Sequence, residues 1–204
     1  MAELAAMDPA DPATPARLQE MIGAADEMTA LIDKLALLAR ADSGRHIVSR
    51  EKVSLHDAVQ ETVHRLRNRI DDRGLNVDVA VAAVSIDADP HLLRAILQNL
   101  LGNAVAHSPA GTIIEVHGDD AGLKISNAAP DLLESDLVRL TDRFWRKSSA
   151  RGEREHSGLG LSIVVACIRL HGWSLKPCLE AGRLIMHVAF RGETGIPEAP
   201  APMV

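Results

Sequence analysis

The sequence predicts an α+β fold: a two-layer α/β sandwich, one mixed sheet covered by helices on one face, preceded by a long stalk helix. Three observations lead there. Hydrophobic residues make up 47% of 204, enough for a packed core. Aliphatic stripes at helical spacing take turns with short alternating runs, in the order helix, strands, helix, hairpin, helix, hairpin. One stripe, over residues 16–41, is too long to stand alone in water.

The stalk stripe comes first. Leu18, Ile22, Ala25, Met28, Ile32, Leu35 and Ala39 follow a split seven-residue spacing, and "ADSG" ends the helix with Gly44 as a left-handed cap. Before it, "DPADPATP" at 8–15 reads as a turn, because each Pro pushes its predecessor out of the helical region. A new domain begins near Val53. Ser54 is an N-cap with Asp57 three later, and Leu55, Val59, Val63, Leu66 and Ile70 form the buried face of one helix running to Gly74. "LNVDVAVAAVSID" reads as one or two strands. Asp89-Pro90 then opens a helix with an acidic cap and a first-turn Pro. "TIIEVHGDDAGLKISN" is a hairpin, and a short helix follows around 131–141. Leu161–Leu170 is an apolar helix stopped by Gly172, and "WSLKPCLEAGRLIMHVAF" is a closing hairpin turning at "EAG". The tail from Glu193 is expected to be disordered.

Composition narrows the function. The aromatics are Phe144, Trp145, Trp173 and Phe190, with no Tyr, so the core is aliphatic and base-stacking platforms are not expected. A net charge of −6 argues against nucleic acid as a partner. Cys167 and Cys178 read as two reduced, packed thiols of a cytoplasmic protein, without the spacing of a metal site. No run reaches the roughly 18 apolar residues of a membrane span. The N-terminus lacks the basic start and apolar centre of a signal peptide.

Three stretches carry chemistry. In "AILQNLLGNAVAHSP", residues 95–109, Asn99 and Asn103 stack one turn apart on a helix that is otherwise apolar. Asparagine is a mediocre helix former, because its amide competes for backbone hydrogen bonds. On spacing alone, solvent or a neighbouring loop would satisfy both amides. "ISNAAPDL", residues 125–132, ends a strand. "HSGLGLSIV", residues 156–164, enters a helix; Gly158 and Gly160 permit close approach and positive φ, and the helix start offers free N–H groups to an anion. Between the last two lie Arg143, Arg146, Lys147, Arg151 and Arg154, most of which read as solvated loop charges.

In this order the stretches resemble the ATP-binding domain of sensor histidine kinases, of the gyrase, chaperone and histidine-kinase ATPase superfamily. "HLLRAILQNLLGNAVAHSP" resembles the N box, "SNAAPDL" the first glycine box, "DRFWR" the F box and "SGLGLSIV" the second glycine box, together covering about residues 54–191. "LALLARADSG" resembles the end of the second helix of the dimerisation and phosphotransfer hairpin. The resemblance implies ATP and Mg²⁺ as ligands. Asn103 would ligate Mg²⁺ and Asn99 would contact phosphates or order water. His107, Asn127, Ala129, Leu132, Gly158, Leu159, Gly160 and Leu161 would hold the nucleotide. Arg146 and Lys147 would be lid cations neutralising γ-phosphate charge, with Phe144 and Trp145 anchoring the lid by packing. The implied partners are a response-regulator receiver domain and a second copy through the 16–41 helix. The implied division is 1–52 partial dimerisation region, 53–192 ATP-binding domain, 193–204 tail.

The pattern also breaks. Asn127 stands where the family usually has an Asp that accepts from the adenine amino group. Ala129 and Asp131 replace glycines, and Ala106 replaces a Lys or Arg. No histidine here is followed by the Glu and Pro of the phosphoacceptor signature. The chain therefore reads as a fragment starting after the acceptor, or as a natural protein lacking it. It is expected to bind ATP or ADP without phosphorylating itself. Two rivals remain: a degenerate kinase that binds nucleotide weakly and acts through partners, and an anti-sigma-factor serine kinase, which would lack the stalk helix.

Overall fold

The computed structural model describes residues 48–147 and 158–191 without interruption, and individual residues between 18 and 41. The expected turn at 8–15, the Gly44 cap, the cations Arg151 and Arg154 and the tail from Glu193 lie outside the described residues. Those described between 18 and 41 are helical. Leu38 is buried in the core, whereas Met28 and Ile32 are 66% and 61% exposed.

Strand β1 (Glu51–Ser54) pairs antiparallel with β3 (Ser85–Ala88). The main sheet joins β2 (Asn76–Val81), β4 (Ile113–Gly118), β5 (Gly122–Ala128), β7 (Arg183–Ala189) and β6 (Ser174–Glu180), in the order β2-β4-β5-β7-β6. The β2–β4 pair is parallel and the rest antiparallel, giving the mixed sheet the sequence predicts. Strand alternation divides its faces. Ile114, Val116, Leu123, Ile125, Leu184, Met186 and Val188 turn inward and are buried, while His117 and Lys124 stay exposed on the other face.

The inner face is covered by helices α1 (Leu55–Arg65), α3 (Pro90–His107) and α5 (Gly160–His171). Each begins or ends on a device visible in the sequence. Ser54 Oγ accepts from Asp57 N–H at 3.3 Å. Asp89 accepts from the N–H groups of His91 and Leu92 at 3.0 and 3.2 Å. Gly172 closes α5 at φ 67. Two elements differ from expectation. The helix read as continuous to Gly74 breaks at Leu66 (φ −91, ψ 0), separating α1 from α2 (Arg67–Asp72). There the Leu66 N–H is shared between the Thr62 and Val63 carbonyls, and Thr62 Oγ1 donates back to Ala58 O at 2.8 Å, a bond that bends helices. The helix expected around 131–141 is only α4 (Glu134–Leu137), continued by successive three-residue turns through Asp142.

A paired polar node ties these layers together. His171, 2% exposed, accepts the Asp89 backbone N–H on Nε2 at 3.0 Å and donates Nδ1–H to Cys167 O at 2.9 Å. That pattern requires the neutral ring. The ring stacks on Trp173 with centroids 4.1 Å apart. The segment after the stalk helix joins the same node: Ser49 N–H donates to Asp89 Oδ2 at 3.0 Å, and Arg50 donates to His171 O at 2.6 Å. Burial pushes the Asp89 carboxyl up, but the N–H donors of Leu92, Ser49 and His91 outweigh it and hold it below the ordinary value. Burial also pushes the Cys167 thiol up to about 12, the state of a packed thiol. Among the described residues no helix is long and apolar enough to cross a membrane.

Candidate functional site

A cavity of about 630 Å³ opens between α3, the end of β5 and the start of α5. One wall is α3. Asn99, Asn103 and His107 occupy successive turns of it, over about 12 Å of helix. Their spacing, with apolar neighbours facing the sheet, puts all three on the cavity side.

The two amides differ in what they already hold. Asn99 Nδ2 donates to Ala95 O at 2.7 Å, and its Oδ1 faces Gly160, where a Cβ would stand 3.0 Å from that oxygen. A side chain at Gly160 would press on that amide, which would have to give by a few tenths of an ångström. Asn103 makes no hydrogen bond among the described residues. A half-buried amide with no partner among the described residues, in a mostly aliphatic helix, is a candidate ligand group.

Asn127, 3% exposed, closes the inner end. Its Nδ2 donates to Ala128 O at 3.0 Å, leaving Oδ1 without a donor among the described residues. That oxygen is the acceptor which the sequence assigned to an adenine amino group. Ala129 and Leu132 line the wall beside it, and Ala129 N–H is tied to Gly182 O at 2.8 Å, so the strand end is held where the methyl meets the cavity.

The opposite rim is built on Gly158 (φ 67) and Phe144 (φ 64). Phe144 N–H donates to Gly158 O at 2.9 Å, and a Cβ on Gly158 would stand 2.8 Å from the Phe144 backbone. Only glycine fits there. Just beyond, α5 starts at Gly160 with no side chain capping it among the described residues, a helix start that suits an anion.

Of the residues singled out from sequence, Asn99, Asn103, His107, Asn127, Ala129, Leu132, Arg146, Lys147, Gly158, Gly160 and Leu161 all line this cavity. Leu159 does not. Its side chain is 0% exposed and belongs to the core, because the α5 start turns it toward the sheet. Lys147 reaches the cavity but is ion-paired with Asp136, whose carboxylate also accepts from Leu133 N–H at 2.9 Å. The Lys147 hydrogen bond, then the Leu133 one, holds the Asp136 carboxyl below its ordinary value. Phe144, expected to anchor by packing, is 65% exposed, since its left-handed backbone directs it outward; Trp145 is the ring that packs. The lining also includes Arg69, Gln98 and Gly102. Gln98 and Gly102 neighbour the two asparagines on α3 and follow from helical geometry. Arg69 sits on α2 and left no signal in the sequence.

Residues 88–190 match the family model described as "Histidine kinase-, DNA gyrase B-, and HSP90-like ATPase". The chain belongs to that family. Within it, the relatives are sensor histidine kinases. The chain is 31% identical over 179 residues to "Sensor protein QseC" of Escherichia coli (strain K12), covering 85% of itself and 39% of that protein. It is 34% identical over 185 residues to "Signal transduction histidine-protein kinase/phosphatase MprB" of Mycobacterium ulcerans, covering 85% of itself and 35% of that protein. The chain therefore spans well under half the length of these relatives. The solved Acinetobacter baumannii histidine kinase AdeS shares the fold, with a TM-score of 0.73 at 17% identity, over 92% of this chain and 88% of that one.

Proposed function

We propose that this chain is the ATP-binding catalytic part of a two-component sensor kinase, acting on ATP·Mg²⁺. In the intact protein it presents the γ-phosphate to a histidine on the dimer stalk, for relay to a receiver-domain aspartate. The observation that carries this reading is one cavity uniting Asn99, Asn103, Asn127, Gly158 and Gly160 from three separate motifs, with the Asn103 amide making no hydrogen bond among the described residues. The residues fit a divalent ion. An amide oxygen is a hard neutral ligand, and Mg²⁺ keeps several waters and takes phosphate oxygens, so one protein ligand suffices. When bound, the ion would neutralise phosphate charge. Among the described residues no three His, Cys, Asp or Glu converge into a metal site of their own.

The remaining work is positioning. Asn127 Oδ1 orients the base, Asn99 and the uncapped start of α5 meet the phosphates, and Arg146 and Lys147 stand at the rim. Lys147 must exchange Asp136 for phosphate to contribute. The division into 1–52, 53–192 and 193–204, a homodimer through the exposed stripe at 18–35, and a cytoplasmic placement belong to the same proposal. Calorimetry of ADP and ATP with Mg²⁺ and with EDTA tests it: saturable, Mg²⁺-dependent binding is expected, with no acid-labile phosphate left on this polypeptide. The degenerate-kinase reading is favoured by Ala129, fixed against the cavity. No heat at millimolar nucleotide would select it.

A further inference from the structure

The arginines of α1, α2 and the turn after them have distinct fates. Arg65 is paired with Glu61 at 2.5 Å and Arg67 with Asp71 at 3.0 Å, each one helical turn apart. Arg73 donates to Ser108 O at 3.3 Å, which fixes α2 against the end of α3. Arg69 makes no side-chain hydrogen bond or ion pair among the described residues, and it is the one of the four that lines the cavity. Arg69, one turn before Arg73, lines the same cavity as His107 and Pro109, the residues on either side of the Ser108 that Arg73 holds.

The cavity has a charge asymmetry that gives this position meaning. α3 contributes Gln98, Asn99, Gly102, Asn103 and His107 to the lining, and no Lys or Arg; Ala106 is 7% exposed and apolar. Asp131 lies on the wall beside Ala129 and Leu132, so that end repels phosphate and suits the base. Lys147 is already engaged by Asp136. Among the described residues, a polyphosphate running along the Asn99–Asn103–His107 face meets at Arg69 a guanidinium that no side-chain hydrogen bond or ion pair holds.

We propose that Arg69 binds the outer phosphates of the nucleotide, supplying from α2 the cation that α3 lacks. The inference rests on the nucleotide reading above and extends it to a residue outside all four motifs. A guanidinium suits the task, since its fork donates two parallel hydrogen bonds to phosphate oxygens and stays charged at every physiological pH. Its exposure in the free chain leaves it solvated until a ligand arrives.

The test is calorimetry of AMP, ADP and ATP with Mg²⁺ on the unaltered chain, Arg69→Ala and Arg69→Lys, with thermal melts of each. Arg69→Ala should weaken ATP about tenfold, the worth of a charge-assisted contact, and leave AMP and the ligand-free melting temperature unchanged. Arg69→Lys should recover part of the loss. An equal loss for AMP and ATP, or none for ATP, overturns the assignment of Arg69 while the unaltered chain still binds. Absence of binding by the unaltered chain overturns the nucleotide reading itself.

Discussion

The two ends of α3 make opposite use of polar groups. At its start, Asp89, His171, Ser49 and Arg50 form a node in which hydrogen bonds from three separate segments converge. Further along, Asn103 and the Asn127 oxygen face a cavity with no partner among the described residues. The node makes structure, because a buried polar group stabilises only when satisfied. The cavity is the candidate binding site, because its groups are left incomplete among the described residues. Both ends belong to one helix, so the docking of the segment after the stalk and the amides that face the cavity share a single element.

Four substitutions or conditions probe that contrast. The largest effect is expected at the node. Asp89→Ala or His171→Ala should cost about 3 kcal/mol in denaturant unfolding, through lost capping, stranded N–H donors and the space left against Trp173. Nucleotide affinity of the folded fraction should hold; a variant losing affinity but not stability would erase the distinction. Asn103→Ala should do the reverse. Nucleotide binding in Mg²⁺ should fall at least tenfold, about 1.4 kcal/mol, toward its value in EDTA, with stability within about 0.5 kcal/mol. Gly102→Ala sharpens the point. A Cβ there meets nothing within 4 Å, so the helix should gain about 0.5–1 kcal/mol while the methyl enters the cavity and weakens nucleotide binding. A stabilised variant with unchanged affinity would mean that the nucleotide does not pass Gly102.

The smallest effect serves as a control on the open face of the sheet. Burial, then the flanking Lys124 and Lys176, push the His187 pKa below its ordinary 6.5, with Asp119 opposing. The unfolded chain therefore binds the proton more readily, and this contribution to stability is present above pH 6.5 and lost as pH falls through that range. Unfolding measured from pH 7 to 5 should show a slight decline that His187→Gln flattens, with nucleotide affinity unaffected by the substitution.

Much of this was legible in the sequence where local rules were strong. Asp89-Pro90 and Gly172 marked α3 and α5 because caps act within one turn. Both hairpins were visible because alternation and turn residues coincided. The break at Leu66 was hidden, since the apolar stripe continues in phase across it. β1 has only four residues and no alternation, so its pairing with β3 is a tertiary fact. At the site, Asn99, Asn103, Gly158 and Gly160 were legible through motifs. Arg69 was not, because it lies outside the motifs and lines the cavity only in the folded chain. The capture of Lys147 by Asp136 was equally invisible, being a contact between residues 11 apart in a segment without periodicity.

The bridge between Phe144 and Gly158 has one more consequence. Two left-handed residues, joined backbone to backbone, define a neck from which residues 145–157 depart and return. Trp145, Arg146 and Lys147, at the start of that span, line the cavity, whereas insertions after them leave the bridge itself in place, and doubling a span adds only about 0.6 kcal/mol of closure entropy. Evolution can therefore change the length of chain between Lys147 and Gly158 without retooling the chamber that the bridge borders.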